Sequence, residues 1–132
     1  MTNNKPAVLI ADKDEKFLKL LKEQLLSEGF RVFSVQSGRE ALAFMRRRTI
    51  KAAIVDAELK DMEGYILVPL LKDLNKSMKV IMTTCKNDPE LESRCRETGI
   101  IYYGIKPLDY GEILEVLKSA IKNNNTMENF KK

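Results

Sequence analysis

Residues 7–29 read AVLIADKDEKFLKLLKEQLLSEG, and this stretch decides the fold. It opens on five apolar residues in a row, Ala7–Ala11, without alternation. A continuous run of that length predicts a strand buried on both faces, as in a parallel sheet covered by helices. The period then changes. Across Asp14–Glu28, Phe17, Leu18, Leu21 and Leu25 fall on one face, with Lys16, Lys19, Lys22 and Glu23 elsewhere. That spacing predicts an amphipathic helix. Gly29 stands where a helix C-terminus favours left-handed backbone.

The same unit recurs along the chain. Ala52–Val55, Val80–Met82 and, less cleanly, Ile100–Tyr103 are further apolar runs of strand character, while the mixed Phe30–Val35 reads as an edge strand. Ser37 and Glu40 form a capping box that opens a helix over Gly38–Arg48. Asp88-Pro89 is an N-cap followed by proline at the first helical position. Asp109 with Glu112 repeats the cap before Ile113, Leu114, Leu117 and Ile121. Strand and helix alternate five times, which predicts a doubly wound α/β domain. Glu90–Thr98 has only Leu91 and Cys95 as an apolar seam, so this helix is expected to be among the least stable elements. Asn123–Lys132 is polar and reads as a frayed tail. Pro69 falls inside the predicted third helix and is expected to kink it.

Bulk properties narrow the chemistry. The chain has 132 residues, 23 Lys+Arg against 19 Asp+Glu, and no histidine. One domain of this length buries roughly two-thirds of its unfolded surface. Without histidine there is no Ser-His-Asp triad, no Cys-His dyad and no imidazole metal ligand. The longest apolar run, Ile66–Leu71, is interrupted by Pro69 and falls far short of the roughly 18 residues of a spanning helix. No membrane association is therefore expected. Cys85 and Cys95 are ten apart with no second pair, which fits reduced thiols in the cytoplasm. The basic residues are scattered, and the one run, Arg46–Arg48, reads as charge at a helix C-terminus. Nucleic-acid binding by this domain is not expected.

In open α/β sheets the ligand site lies beyond the C-terminal ends of the strands. Asp12-Lys13-Asp14 follow the first strand, Asp56 the third, Thr83-Thr84 the fourth and Lys106-Pro107 the fifth. Two carboxylates, a hydroxyl and an ammonium would converge on one mouth. Their spacing resembles the receiver domain of two-component response regulators. The matching features are Asp12, Asp56, Gly64 eight positions later, Thr84 followed by the small Cys85, and Lys106-Pro107 22 residues after Thr84. Tyr103, three before the lysine, stands at the family's aromatic switch position.

The resemblance implies a flavodoxin-like (βα)5 fold with strand order 2-1-3-4-5, and covers about Lys5 to Asn123. Residues 1–123 would form the receiver domain and 124–132 a polar C-terminal tail. It implies a signalling domain, not an enzyme, with Asp56 accepting a phosphoryl group from a histidine kinase or phosphotransfer protein. Lys106 and Thr84 would bind the phosphoryl oxygens, and Thr84 and Tyr103 would act as the switch. Output would pass to a downstream effector, or to a second copy, through the face of helix 4, strand 5 and helix 5. The family's Lys-Pro bond is often cis. Its Mg2+ site maps to Asp12, Asp56 and position 58, where Glu58 could add a carboxylate.

Two positions depart from the family pattern. Lys13 replaces the second acid after strand one, which in the family contacts Mg2+ directly, so a weakened metal site is expected. Either Lys13 pairs with Asp56, or it points away and Glu58 or Asp14 repairs the site. Lys60 replaces a proline four residues after the acceptor and is expected to loosen that loop. Two rival readings follow. One is a pseudo-receiver, an interaction module working without phosphate. The other is a haloacid-dehalogenase-type phosphatase with Asp12 as nucleophile and Asp14 as acid/base. Against the latter, Glu15-Lys16-Phe17 runs straight into a helix and leaves no flap.

Overall fold

The computed structural model describes residues 5–130, and side chains through residue 122. The order is β1 (Ala7–Ala11), α1 (Glu15–Ser27), β2 (Arg31–Val35), α2 (Gly38–Met45), β3 (Ala52–Asp56), α3 (Gly64–Leu74), β4 (Lys79–Thr84), α4 (Pro89–Arg96), β5 (Tyr102–Ile105) and α5 (Tyr110–Phe130). All strands are parallel, in the order β2-β1-β3-β4-β5. This is the expected doubly wound arrangement.

The continuous apolar runs are explained by two cores. Leu9, Val55, Val80 and Met82 face the side covered by α2, α3 and α4, with Met45, Leu67, Leu71 and Cys95. Val8, Ile10, Ile54 and Ile81 face α1 and α5, with Leu18, Leu21, Leu25, Ile113 and Leu117. Successive residues of a central strand point to opposite faces, so both must be apolar. β2 lies at the edge and shows the mixed burial predicted for it.

The helix signals hold. The Asp14 carboxylate accepts the N–H groups of Lys16 and Phe17, Ser37 caps α2, and Asp88 caps α4. Gly29 has φ of 90° after α1. Pro69 lies on the exposed side of α3, which runs through it. Within α4 only Cys95 is buried, as the thin seam implied.

Most boundaries differ by a residue or two, and three differences bear on the packing. β5 begins at Tyr102, two residues later than read. α2 ends at Met45, before the arginine run. Arg48 lies with its guanidinium 4.9 Å from the Phe33 ring centre and 5.0 Å from that of Phe44. Cation–π packing, more than helix-dipole charge, accounts for this arginine. α5 continues to Phe130, through most of the segment read as a frayed tail. Such a helix needs apolar residues only where it meets the sheet, and Ile121 is a buried contact of that kind.

Candidate functional site

From β1 the chain turns to β2 on one side, while β3 pairs on the other. The C-terminal ends of β1, β3, β4 and β5 flank this reversal and deliver Asp12, Asp56, Thr83-Thr84 and Lys106 to one mouth. Asp12 is 2 % and Asp56 5 % exposed, so two carboxylates are buried together. Burial of that kind demands a counter-charge.

Lys106 supplies it. Its Nζ lies 2.6 Å from Asp12 Oδ2 and 3.1 Å from Asp56 Oδ1. The ammonium also sits 3.9 Å from the centre of the Phe17 ring. The Lys106-Pro107 bond is cis. Burial alone would lower the lysine, but the hydrogen bond to Asp12 and the charge of Asp56 outweigh it and hold the ammonium above its ordinary range. For Asp12, burial is the largest influence and raises the carboxyl, against the hydrogen bonds from Lys106 and the Asp14 N–H.

The backbone fixes both acids. The Asp14 N–H donates to Asp12 Oδ1 at 2.9 Å, and the Glu58 N–H to Asp56 Oδ2 at 2.9 Å. Each is a turn in which the carboxylate takes a backbone donor two residues on. Gly64 starts α3 against the acceptor strand. A Cβ there would come within 2.4 Å of the Asp56 carbonyl oxygen and 2.6 Å of Met82 Cε. The motif glycine is thus explained by close packing.

The two threonines divide the work. Thr83 pairs with Asp56 in the β3–β4 register, and its hydroxyl lies 3.2 Å from Asp56 Oδ1. Thr84, on the opposite face, accepts the Lys86 N–H at 3.0 Å. Tyr103 is buried; among the described residues no partner meets its Oη in hydrogen-bond geometry, although the Thr84 hydroxyl is close enough to influence it. Sequence places Thr83 at the strand end beside Thr84 without a role of its own, and does not single out Lys86. Phe17 was read as helix core. Register, not composition, separates Thr83 from Thr84.

Lys13 takes neither route foreseen for it. Its Nζ lies 2.5 Å from Glu58 Oε1, and Lys86 Nζ lies 3.4 Å from Glu58 Oε2. These ammonium groups hold the Glu58 carboxyl below its ordinary range, with the Lys13 hydrogen bond the largest cause. The Lys13 and Glu58 side chains are 48 % and 40 % exposed, so solvent screens the pair.

The acid meant to repair the metal site is therefore occupied by the lysine that disturbs it. Every oxygen of Asp12, Asp56 and Glu58 already faces an N–H or O–H donor. Among the described residues no three ligating side chains cluster to hold a metal. Mg2+ usually takes one or two carboxylates together with waters, but here Lys106 neutralises the buried pair and Lys13 and Lys86 hold Glu58, so the set offers a divalent cation no net negative charge and does not fit it. Of the expected ligands, Asp12 and Asp56 meet in the mouth, and Glu58 pairs with Lys13 and Lys86. Asp14, the other suggested helper and the acid/base of the phosphatase reading, caps α1 instead.

The loop after Asp56 is held, not loosened. Lys60 Nζ donates to Gln36 Oε1 at 2.6 Å. Asp61 accepts the Gly38 N–H at 2.7 Å and the Arg39 N–H at 3.1 Å. The lost proline is replaced by polar bonds to the start of α2.

Comparison with known proteins agrees with this geometry. Residues 8–118 match the sequence model of the response regulator receiver domain. The chain is 27 % identical over 128 residues to the transcriptional regulatory protein ZraR of Escherichia coli K12, covering 97 % of this chain and 29 % of ZraR. It is 30 % identical over 114 residues to the heme response regulator HssR of Staphylococcus epidermidis, covering 86 % and 50 %. It thus spans half or less of these relatives. A CheY-like receiver domain from Methanospirillum hungatei superposes with a TM-score of 0.88 at 28 % identity, covering 94 % of this chain and 99 % of that one.

Proposed function

The chain belongs to the response regulator receiver family, and on that premise we propose that it accepts a phosphoryl group on Asp56 from a phosphohistidine of a partner kinase or phosphotransfer protein. The observation that carries this reading is Lys106 Nζ bridging Asp12 and Asp56 at the strand ends. An Asp56 oxygen attacks phosphorus, the P–N bond breaks, and its electron pair leaves on the imidazole. Positioning and charge neutralisation account for most catalysis of such transfers. Lys106 is a point charge for a phosphoryl oxygen. The Thr84 hydroxyl donates to another.

Receiver domains generally bind Mg2+ at this site, but no step here is assigned to it, because the donor set does not fit. Movement of Thr84 toward the phosphoryl group would be coupled to Tyr103. Its buried, unpaired hydroxyl is a costly arrangement that a shift of α4 can relieve. The output surface is then α4, β5 and α5, where Ile105 of β5 is exposed, as is Ile101 just before that strand. Its partner is a downstream effector or a second copy. Receiver domains are signalling domains, not classical enzymes. Among the described residues no helix is long and apolar enough to cross a membrane, and two unbridged cysteines support a reducing compartment such as the cytoplasm.

Incubation with acetyl phosphate or phosphoramidate, read by intact mass, tests the acceptor. One phosphoryl adduct, lost in Asp56→Asn, is expected. The Lys13–Glu58 pair favours one second reading, an interaction module that works without phosphate. Absence of an adduct with every donor would favour that reading.

A further inference from the structure

Three carboxylates, Asp12, Asp56 and Glu58, face three ammonium groups, Lys13, Lys86 and Lys106. The mouth is neutral with no metal. We infer that Lys13 and Lys86, parked on Glu58, stand in for the divalent cation, so that Asp56 takes up and holds a phosphoryl group independently of Mg2+. The inference rests on the reading of Asp56 as phosphoacceptor.

The argument is one of charge and reach. A divalent cation near buried carboxylates neutralises them and then the incoming phosphoryl oxygens. Here Lys106 neutralises the buried pair. Phosphorylation adds negative charge and acceptor oxygens beside Asp56. Glu58 follows Asp56 by two residues, and its own N–H donates to the Asp56 carboxylate. The backbone of Glu58 thus touches the acceptor carboxylate, and its side chain holds Lys13 and Lys86. Lys13 also feels the Asp56 charge.

Both lysines are exposed, at 48 % and 58 % of their side chains. Their bonds to Glu58 are solvent-screened and exchange readily. Lysine is a flexible point-charge ligand for phosphate oxygens. When the phosphoryl group forms, the two ammonium groups can turn from Glu58 to it with little change in backbone. A second positive charge at the metal position would in turn repel Mg2+.

Two measurements decide the matter. Calorimetric titration of Mg2+ into the wild type and Lys13→Asp measures the metal site without any phosphoryl donor. The wild type is expected to bind at least about tenfold more weakly than Lys13→Asp. Equal affinity would overturn the inference. Phosphoramidate labelling, read by intact mass, is then run with Mg2+ and with excess chelator. Here P–N cleavage releases ammonia as the P–O bond to Asp56 forms.

The wild-type rate is expected to agree within about twofold in the two conditions, while Lys13→Asp slows at least about tenfold in chelator. The double variant Lys13→Ala/Lys86→Ala should label more slowly than wild type in chelator. Wild-type labelling that requires Mg2+ would overturn the inference and leave Asp56 as acceptor. Labelling of Lys13→Asp but never of the wild type would overturn it too, making Lys13 a block. If no protein is labelled, the acceptor reading fails, and with it the inference.

Discussion

Lys106 Nζ and Asp12 Oδ2 meet at 2.6 Å although the residues are 94 positions apart in the chain. The contact joins the end of β5 to the end of β1 and compensates a pair of buried acids. Lys106→Met should remove that compensation and cost about 3 kcal/mol at neutral pH, the lower end for a buried pair that loses one partner. The sign with pH follows from Asp12, whose carboxyl burial already raises. Without the ammonium it rises further. The deficit is therefore largest above the carboxylate range and shrinks as acid protonates the group. Urea midpoints of both proteins across pH 4–8 check this, and a pH-independent deficit would contradict it.

Gly64 and Gly29 should respond differently to alanine. At Gly64 the new Cβ meets the Asp56 carbonyl oxygen and Met82, so the backbone must shift, at about 2–3 kcal/mol. Labelling of Asp56 should slow with it. At Gly29 nothing lies within 4 Å, but φ is +90°. Alanine there should cost about 1 kcal/mol from backbone strain and leave labelling unchanged. Denaturation and mass spectrometry of the two variants separate these effects.

Asp61 links the loop after the acceptor to the start of α2. Asp61→Ala should cost about 1 kcal/mol, as for loss of a helix cap. The Gly38 N–H bond is the largest cause holding this carboxyl below its ordinary range. Its contribution is therefore present above the unfolded carboxylate value and lost as pH falls through the lower folded value. Wild type and variant should converge in acid. Amide exchange at Gly38 and Arg39 should accelerate in the variant at neutral pH.

The two thiols should differ sharply in reactivity. Cys95 is buried, and burial, with the nearby Glu63 and Asp56 charges, pushes its thiol up to about 11. At pH 8 roughly one part in a thousand is thiolate. Cys85 is exposed. Iodoacetamide should label only Cys85 in the folded protein and both in urea. Because the raised thiol favours the neutral form, this stabilisation is present below the ordinary thiol range and lost as pH rises toward about 11. Cys95 is the one buried residue of α4. Its slow labelling should therefore report opening of that helix, and should outpace amide exchange in the Leu18–Leu25 part of α1. Equal protection would show that α4 is not a weak element.

Much of this protein was legible before folding because the signals are local. A strand buried on both faces must be apolar throughout, and a helix needs its cap beside its first turn. Ala7–Ala11, Asp14, Ser37, Asp88 and Gly29 satisfy those demands within a few residues. The spacing of Asp12, Asp56, Thr84 and Lys106 was legible too, since each follows directly from a strand end. Tertiary structure alone decided which threonine reaches Asp56, because that depends on β3–β4 register. It also decided that Lys60 and Asp61 pin their loop, and that Lys13 turns to Glu58, 45 residues away. A long, exposed ammonium has many rotamers of similar energy, so its direction is set by whichever distant charges the fold brings within reach.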